Sequence, residues 1–186
     1  MLCTANQCRS PMAEVLLQHH LHTAGVDARV GSAGLYVGGA PATPHAVTAM
    51  GRRRLDLSHH VSRRVDAELV AAADVILGMT REHVREVAMI DTPALARTFT
   101  LKELVRAAER SGPRRSDETF ADWLTRMGRG RRRDTLLGVG HDEAYDVEDP
   151  VGRSLNDYER TAVELDDLLG RLARAGWLGH TVERSA

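Results

Sequence analysis

Cys3-Thr4-Ala5-Asn6-Gln7-Cys8-Arg9-Ser10-Pro11 is the stretch whose reading decides the fold. Ser10 and Pro11 form a helix start, a capping hydroxyl followed by a first-turn proline whose missing N–H costs nothing there. Met12, Val15, Leu16, Leu17 and Leu21 then recur at helical spacing until Gly25 closes the segment. A cysteine, five residues, an arginine and a hydroxyl residue therefore occupy a loop that feeds a helix N-terminus. Such a loop can wrap a tetrahedral oxyanion. Successive backbone N–H groups point inward, the helix dipole adds partial positive charge, and the planar fork of Arg9 grips two oxygens at once. Cys3 is left facing the central atom, with Ser10 placed to donate a hydrogen bond to its sulfur. Thr4, Ala5, Asn6, Gln7, Cys8 and Ser10 are the candidate binding positions around that anion.

Outward from the loop, strand and helix patterns alternate, which predicts an α/β fold with a mainly parallel sheet. A strand is expected over Ala28 to Ser32, ended by Ala33 and Gly34, and Thr43-Pro44 opens a helix running towards the arginines at 52 to 54. Val75 to Met79 reads as a buried strand and Arg97 to Phe99 as a weaker one. Thr100 with Glu103 is a capping box for a helix to about Arg110. Ser154 precedes a long helix with Tyr158, Ala162, Leu165, Leu169 and Leu172 on one face and Gly176 beyond its end. Residues 111–145, rich in arginine and then in acidic residues, read as an irregular insertion whose charges are solvated. Asp146 and Glu148, taken alone, read the same way, and 177–186 as a flexible tail.

With 186 residues, 42% hydrophobic and 27% charged, the whole of 1–186 is expected to be one domain. No apolar run is long enough to span a bilayer, so no membrane association is expected and the cytoplasm is the default. Two cysteines exclude a disulfide framework or a four-thiolate zinc site, and no metal or cofactor is expected. A net charge of -1 and 4% aromatic residues argue against nucleic acid as a partner. Nothing in the sequence sets the oligomeric state, and a monomer is the default.

These residues resemble the low-molecular-weight protein tyrosine phosphatases, in the actinobacterial form of that family. Cys3 to Pro11 fits the signature loop, and Ser32-Ala33-Gly34 fits the Ser-Ala-Gly strand end. Leu57-Ser58 with His60, Ser62 and Arg63 fits the Leu-Ser-x-His-x-Ser-Arg segment. Ala73 to Met79 fits the strand that ends in methionine, and Asp149-Pro150 the general-acid loop. The resemblance implies a three-layer fold, a four-stranded parallel sheet flanked by helices. It also implies hydrolysis of phosphomonoesters on protein, phosphotyrosine foremost, through a cysteinyl phosphate. Cys3 would be the nucleophile, Arg9 the phosphate clamp and Asp149 the general acid, while Asn6, Ser32 and His60 would hold the loop in shape. Only Met1 and Leu2 precede Cys3, so the first strand reads as truncated and a start further upstream is expected. The chain departs from the family pattern at Ala5, commonly glycine, at Gln7, and at Val151-Gly152, where aromatic residues often follow the proline. Two other readings stay open: an arsenate reductase that borrows an external low-molecular-weight thiol, since no cysteine follows Cys8, and a non-catalytic phosphate-binding module. Cys3 and Cys8 are also close enough in sequence to pair reversibly under oxidation.

Overall fold

Residues 1–36, 38–131 and 142–178 are described by the computed structural model. Four short strands, β1 (Leu2–Cys3), β2 (Ala33–Gly34), β3 (Ile76–Gly78) and β4 (Thr98–Thr100), lie parallel in the order β2-β1-β3-β4. Side chains alternate across a strand, and here the alternation sorts the core into two halves. Cys3, Leu77 and Phe99 face one way, with Leu77 paired beside Phe99. Leu2, Ala33 and Ile76 face the other.

The first face is covered by α1 (Arg9–Thr23), α2 (Pro44–Gly51), α5 (Leu101–Ser111), α6 (Phe120–Met127) and α7 (Leu155–Ala173). The opposite face is covered by α3 (Ala67–Ala72) and α4 (Arg81–Ile90), through Val70 and Val87. α1 packs chiefly against α7. Their stripes of Met12, Leu16 and Leu21, and of Tyr158, Leu165 and Leu172, are buried. Each such aliphatic side chain contributes roughly 1.5–3 kcal/mol on burial. The expected capping box is present, with Thr100 Oγ1 accepting from Glu103 N at 3.2 Å and Glu103 Oε2 from Thr100 N at 3.2 Å. Among the described residues no helix is long and apolar enough to cross a membrane.

Ser10 does not cap the first helix, because α1 begins at Arg9 with Cys8 at its N-cap and Ser10 lies inside the first turn with its hydroxyl on Cys3 Sγ. Three further expectations need correction. The second strand is Ala33–Gly34 rather than Ala28 to Ser32, because a strand exists only where a partner does and β1 begins at Leu2. Further back, the Met1 ammonium donates to Gly31 O at 2.7 Å, and the Gln18 side chain donates to Ala28 O and accepts from Val30 N, both at 3.0 Å. A cavity of about 780 Å³ lies beside Met1, lined by residues that include Val30, Leu69, Ala73 and Val75. Burial lowers the pKa of the Met1 ammonium from 8.0 to about 6.

Second, the arginine-rich stretch is not irregular throughout. α6 places Trp123 fully inside the core, and Phe120 stacks at 5.6 Å from Trp123 and 4.9 Å from Trp177. Arg131 donates to Glu103 Oε1 at 2.8 Å and to the carbonyls of Leu95 and Thr98, with its guanidinium 4.1 Å from the Phe99 ring centre. Residues 132–141 of the expected insertion and 179–186 of the expected tail lie outside the described residues. Trp177 and Leu178 close a π-helical turn, Arg174–Leu178, that continues α7.

Third, Asp146 is buried rather than solvated. Its Oδ1 accepts from Arg81 N at 3.0 Å and its Oδ2 from Asp142 N at 2.9 Å.

Candidate active site

Thr4 to Cys8 leave β1 at the carboxyl edge of the sheet and run straight into α1, the edge at which parallel α/β sheets bind ligands. The loop lies directly on β2. A Cβ at Gly34 would stand 2.8 Å from Asn6 N and 2.9 Å from Thr4 O, so no larger residue fits. Leu35 N donates to Thr4 O at 2.8 Å and Thr43 N to Gln7 O at 2.8 Å, which tethers both flanks. Asn6 turns the loop with a left-handed backbone, φ 54°, a conformation asparagine tolerates better than most residues. Ala5 does not share it, since Asn6 and Arg54 are the only non-glycine residues with positive φ among those described. Alanine in place of glycine is therefore free of backbone strain.

Asn6 is fully buried and every polar atom of its side chain is used. Its Nδ2 donates to Ser10 Oγ at 2.9 Å and to Ser32 Oγ at 2.7 Å, and its Oδ1 accepts from Arg63 N at 3.0 Å. His60 Nε2 donates to Asn6 O at 2.7 Å, which assigns the proton of that ring to Nε2. Ser10 Oγ accepts from Asn6 and stands 3.0 Å from Cys3 Sγ, against 3.4 Å from Ala33 O, so its own proton goes to the sulfur. Asn6 N adds a second donor to the same sulfur at 3.3 Å. The two thiols thus differ in kind. Cys3 sits among donors, whereas burial, reinforced by the charges of Asp149 and Cys3, pushes the Cys8 thiol strongly up. Cys8 is instead a donor, 3.5 Å from Asp149 Oδ1.

Arg9 closes the other side of the loop. Its Nη1 donates to Val147 O at 3.1 Å, its Nη2 to Thr4 Oγ1 at 3.4 Å and to Asp149 Oδ2, while its buried Nε has no partner. A buried guanidinium N–H without an acceptor costs about 1–3 kcal/mol, and an oxyanion held in the loop would supply that acceptor. Asp149 is brought to this position by its own segment. Val147 N donates to Met79 O at 2.8 Å beyond the end of β3, and Val151 N donates to Asp149 Oδ1 at 3.1 Å. The Asp149 carboxylate remains 40% exposed and the Arg9 side chain 4%.

The predicted residues Cys3, Arg9, Asp149, Asn6, Ser10, Ser32 and His60 are therefore brought together by direct contacts, and Thr4, Ala5, Gln7 and Cys8 form the loop itself. Sequence reasoning missed Val147, Met79 and His83. His83 Nε2 lies 3.3 Å from Thr4 Oγ1, and its one signal was a polar residue three positions after Thr80 at a helix start.

The sequence pattern of the family described as low molecular weight phosphotyrosine protein phosphatase matches residues 1–130. The chain belongs to that family. A protein-arginine-phosphatase of Bacillus subtilis is 32% identical over 174 residues, which are 93% of this chain and 92% of that protein. A probable low molecular weight protein-tyrosine-phosphatase, EpsP, of Ralstonia solanacearum is 32% identical over 70% of this chain and 88% of its own length. Among solved structures, a mutant of Bacillus subtilis YwlE superposes with a TM-score of 0.69 at 32% identity, covering 93% of each chain. The low molecular weight protein tyrosine phosphatase of T. tengcongensis gives 0.70 at 28% identity, over 93% of this chain and 95% of that one. The low molecular weight phosphatases of this family hydrolyse phosphoprotein, and the arsenate-reductase reading is not favoured beside them.

Proposed function

We propose that this phosphatase removes phosphoryl groups from protein side chains through a cysteinyl phosphate at Cys3, with phosphotyrosine as its first substrate. The observation that carries the proposal is the convergence of two donors on Cys3 Sγ beside Arg9, whose buried Nε lacks an acceptor. The phosphoryl group enters the loop, its oxygens taking the loop N–H groups and the Arg9 guanidinium. Cys3 Sγ attacks phosphorus, the S–P bond forms and the bond to the leaving oxygen breaks. That oxygen would depart as a phenolate, and Asp149 gives it a proton. Asp149, now a carboxylate, takes a proton from water as the water attacks phosphorus. The S–P bond breaks, the thiolate is regenerated and Ser10 steadies it through its hydroxyl. One carboxyl group serves both halves of the cycle, and no cofactor takes part.

Tyr36 supports an aromatic substrate, because it is 63% exposed and its N donates to Thr4 O at 3.3 Å, at the margin of the loop. A second reading, phosphoarginine, is favoured by one finding: the similarity to the protein-arginine-phosphatase spans 93% of this chain, against 70% for EpsP. Release of phosphate from matched phosphotyrosine and phosphoarginine peptides decides between them. A larger kcat/KM on phosphotyrosine supports the proposal, and a larger one on phosphoarginine replaces it. Turnover on neither, with arsenate consumed in the presence of a small thiol, would overturn both.

A further inference from the structure

The capping box at the start of α4 is closed by a histidine, and its far nitrogen reaches into the oxyanion loop. His83 is fully buried at the third position of α4. Its Nδ1 accepts from Thr80 N at 2.9 Å and lies 2.8 Å from Thr80 Oγ1, so Nδ1 carries no proton and Nε2 does. That Nε2–H points at Thr4 Oγ1, 79 residues away in the chain, at 3.3 Å. A glutamate, the usual residue at this position, closes the box but has nothing to donate across it. Gly78 at the end of β3 is what admits the ring. A Cβ there would stand 2.9 Å from His83 Cβ, and nothing larger than glycine leaves room.

Thr4 Oγ1 also accepts from Arg9 Nη2 at 3.4 Å. A hydroxyl oxygen has two lone pairs, and with both occupied by His83 and Arg9 its proton is committed outward. We propose that His83 is a positioning residue: through Thr4 it fixes the Arg9 guanidinium relative to Cys3 and leaves the Thr4 hydroxyl as an oriented donor for a bound oxyanion. The imidazole suits this because it stays neutral in its dry site. Burial and the nearby cations Arg9 and Arg85 hold its pKa at about 3, so it donates through Nε2 without adding charge beside Arg9. This inference rests on the phosphatase reading above only for its kinetic arm.

The test combines one spectroscopic and one kinetic arm on the full chain. Imidazole nitrogen chemical shifts should show His83 protonated at Nε2, bare at Nδ1 and unchanged from pH 7.5 to 5; an Nδ1–H tautomer, or titration near 6.5, overturns the proposal. His83→Leu and Thr4→Val should each lower kcat about 10- to 100-fold, the scale of a small misplacement of reacting groups, with KM moved less. The double variant should lose no more than the worse single one, because both remove the same link. His83→Gln, which keeps one acceptor and one N–H donor, should restore most of the loss. Independent, multiplying losses, or a Gln variant no better than Leu, overturn the proposal. Where His83→Leu does not fold, Thr4→Val against His83→Gln and the nitrogen shifts still decide it. Absence of any turnover in the wild-type protein sinks the phosphatase reading instead, and inorganic phosphate binding then replaces kcat as the readout of the same cycle.

Discussion

Replacing Asn6 by alanine removes three side-chain hydrogen bonds and the residue type suited to a left-handed turn, at a site with no access to water. Two contributions set the size. Arg63 N, whose hydrogen bond to Asn6 is part-buried, loses its acceptor, and a backbone donor left unpaired costs about 1–3 kcal/mol where water does not replace it. Ser10 and Ser32 lose a donor but keep protons they can redirect, a smaller loss. The φ of 54° adds about 1 kcal/mol for an alanine, a term that glycine escapes. Asn6→Ala should therefore destabilise by about 2–4 kcal/mol and Asn6→Gly by about 1 kcal/mol less. At about 2–4 °C per kcal/mol for a chain of this size, Asn6→Ala falls on the order of 10 °C in Tm. Urea unfolding and thermal melts of the three proteins measure both differences. kcat should fall further than stability explains, since Ser10, no longer held by Asn6, is free to turn its proton from Cys3 Sγ to Ala33 O. A melt unchanged within 2 °C would refute the reasoning that this network holds the loop, and equal stabilities of the alanine and glycine variants would refute the strain component.

Asp149→Asn should lower kcat/KM, which reads the first half-reaction alone, about 10²- to 10⁴-fold with a phenyl-type leaving group and much less with a nitrophenyl one, because only the former needs a proton; equal losses of kcat/KM in parallel assays would remove Asp149 as the acid. Stability should fall with pH in a window set by His83. Its pKa is about 3 when folded and 6.5 when free, so below 6.5 the unfolded chain binds the proton and the folded one does not. Wild type should lose about 1.4 kcal/mol per pH unit below 6.5 that His83→Gln keeps, and parallel urea midpoints down to pH 4.5 would contradict this. Trp123→Ala should cost about 3–5 kcal/mol by denaturation with kcat at 25 °C unchanged, since Trp123 on α6 fills the core beside Phe120 and Gly176.

What was legible in the sequence was what is local. Cys3 to Ser10 carries its geometry in consecutive residues, Pro44 marks the first turn of its helix and Thr100 carries its own cap, and Leu165 and Leu172 carry the period of α7. Strand β2 was misplaced because pairing is a property of two segments, and β1 pairs with Ala33 and Gly34. Arg131 and Asp146 were read as solvated because charge in a sequence says nothing of what lies opposite. One is stacked on Phe99 and paired with Glu103, and the other caps the backbone of Arg81. His83 was missed for a related reason. Its partner Thr80 is three residues away, but Thr4 comes to it only through the β1–β3 pairing.

The central claim, that Cys3 carries the phosphoryl group, is tested most directly by trapping it. Asp149→Asn mixed with a nitrophenyl phosphate still completes the first half-reaction but lacks the base for the second. Acid quenching followed by peptide mass analysis should find one phosphoryl group on Cys3 and none on Cys8, whose thiol is buried and held protonated. A phosphoryl group on Cys8, or continued turnover with Cys3 replaced by serine, would contradict the account.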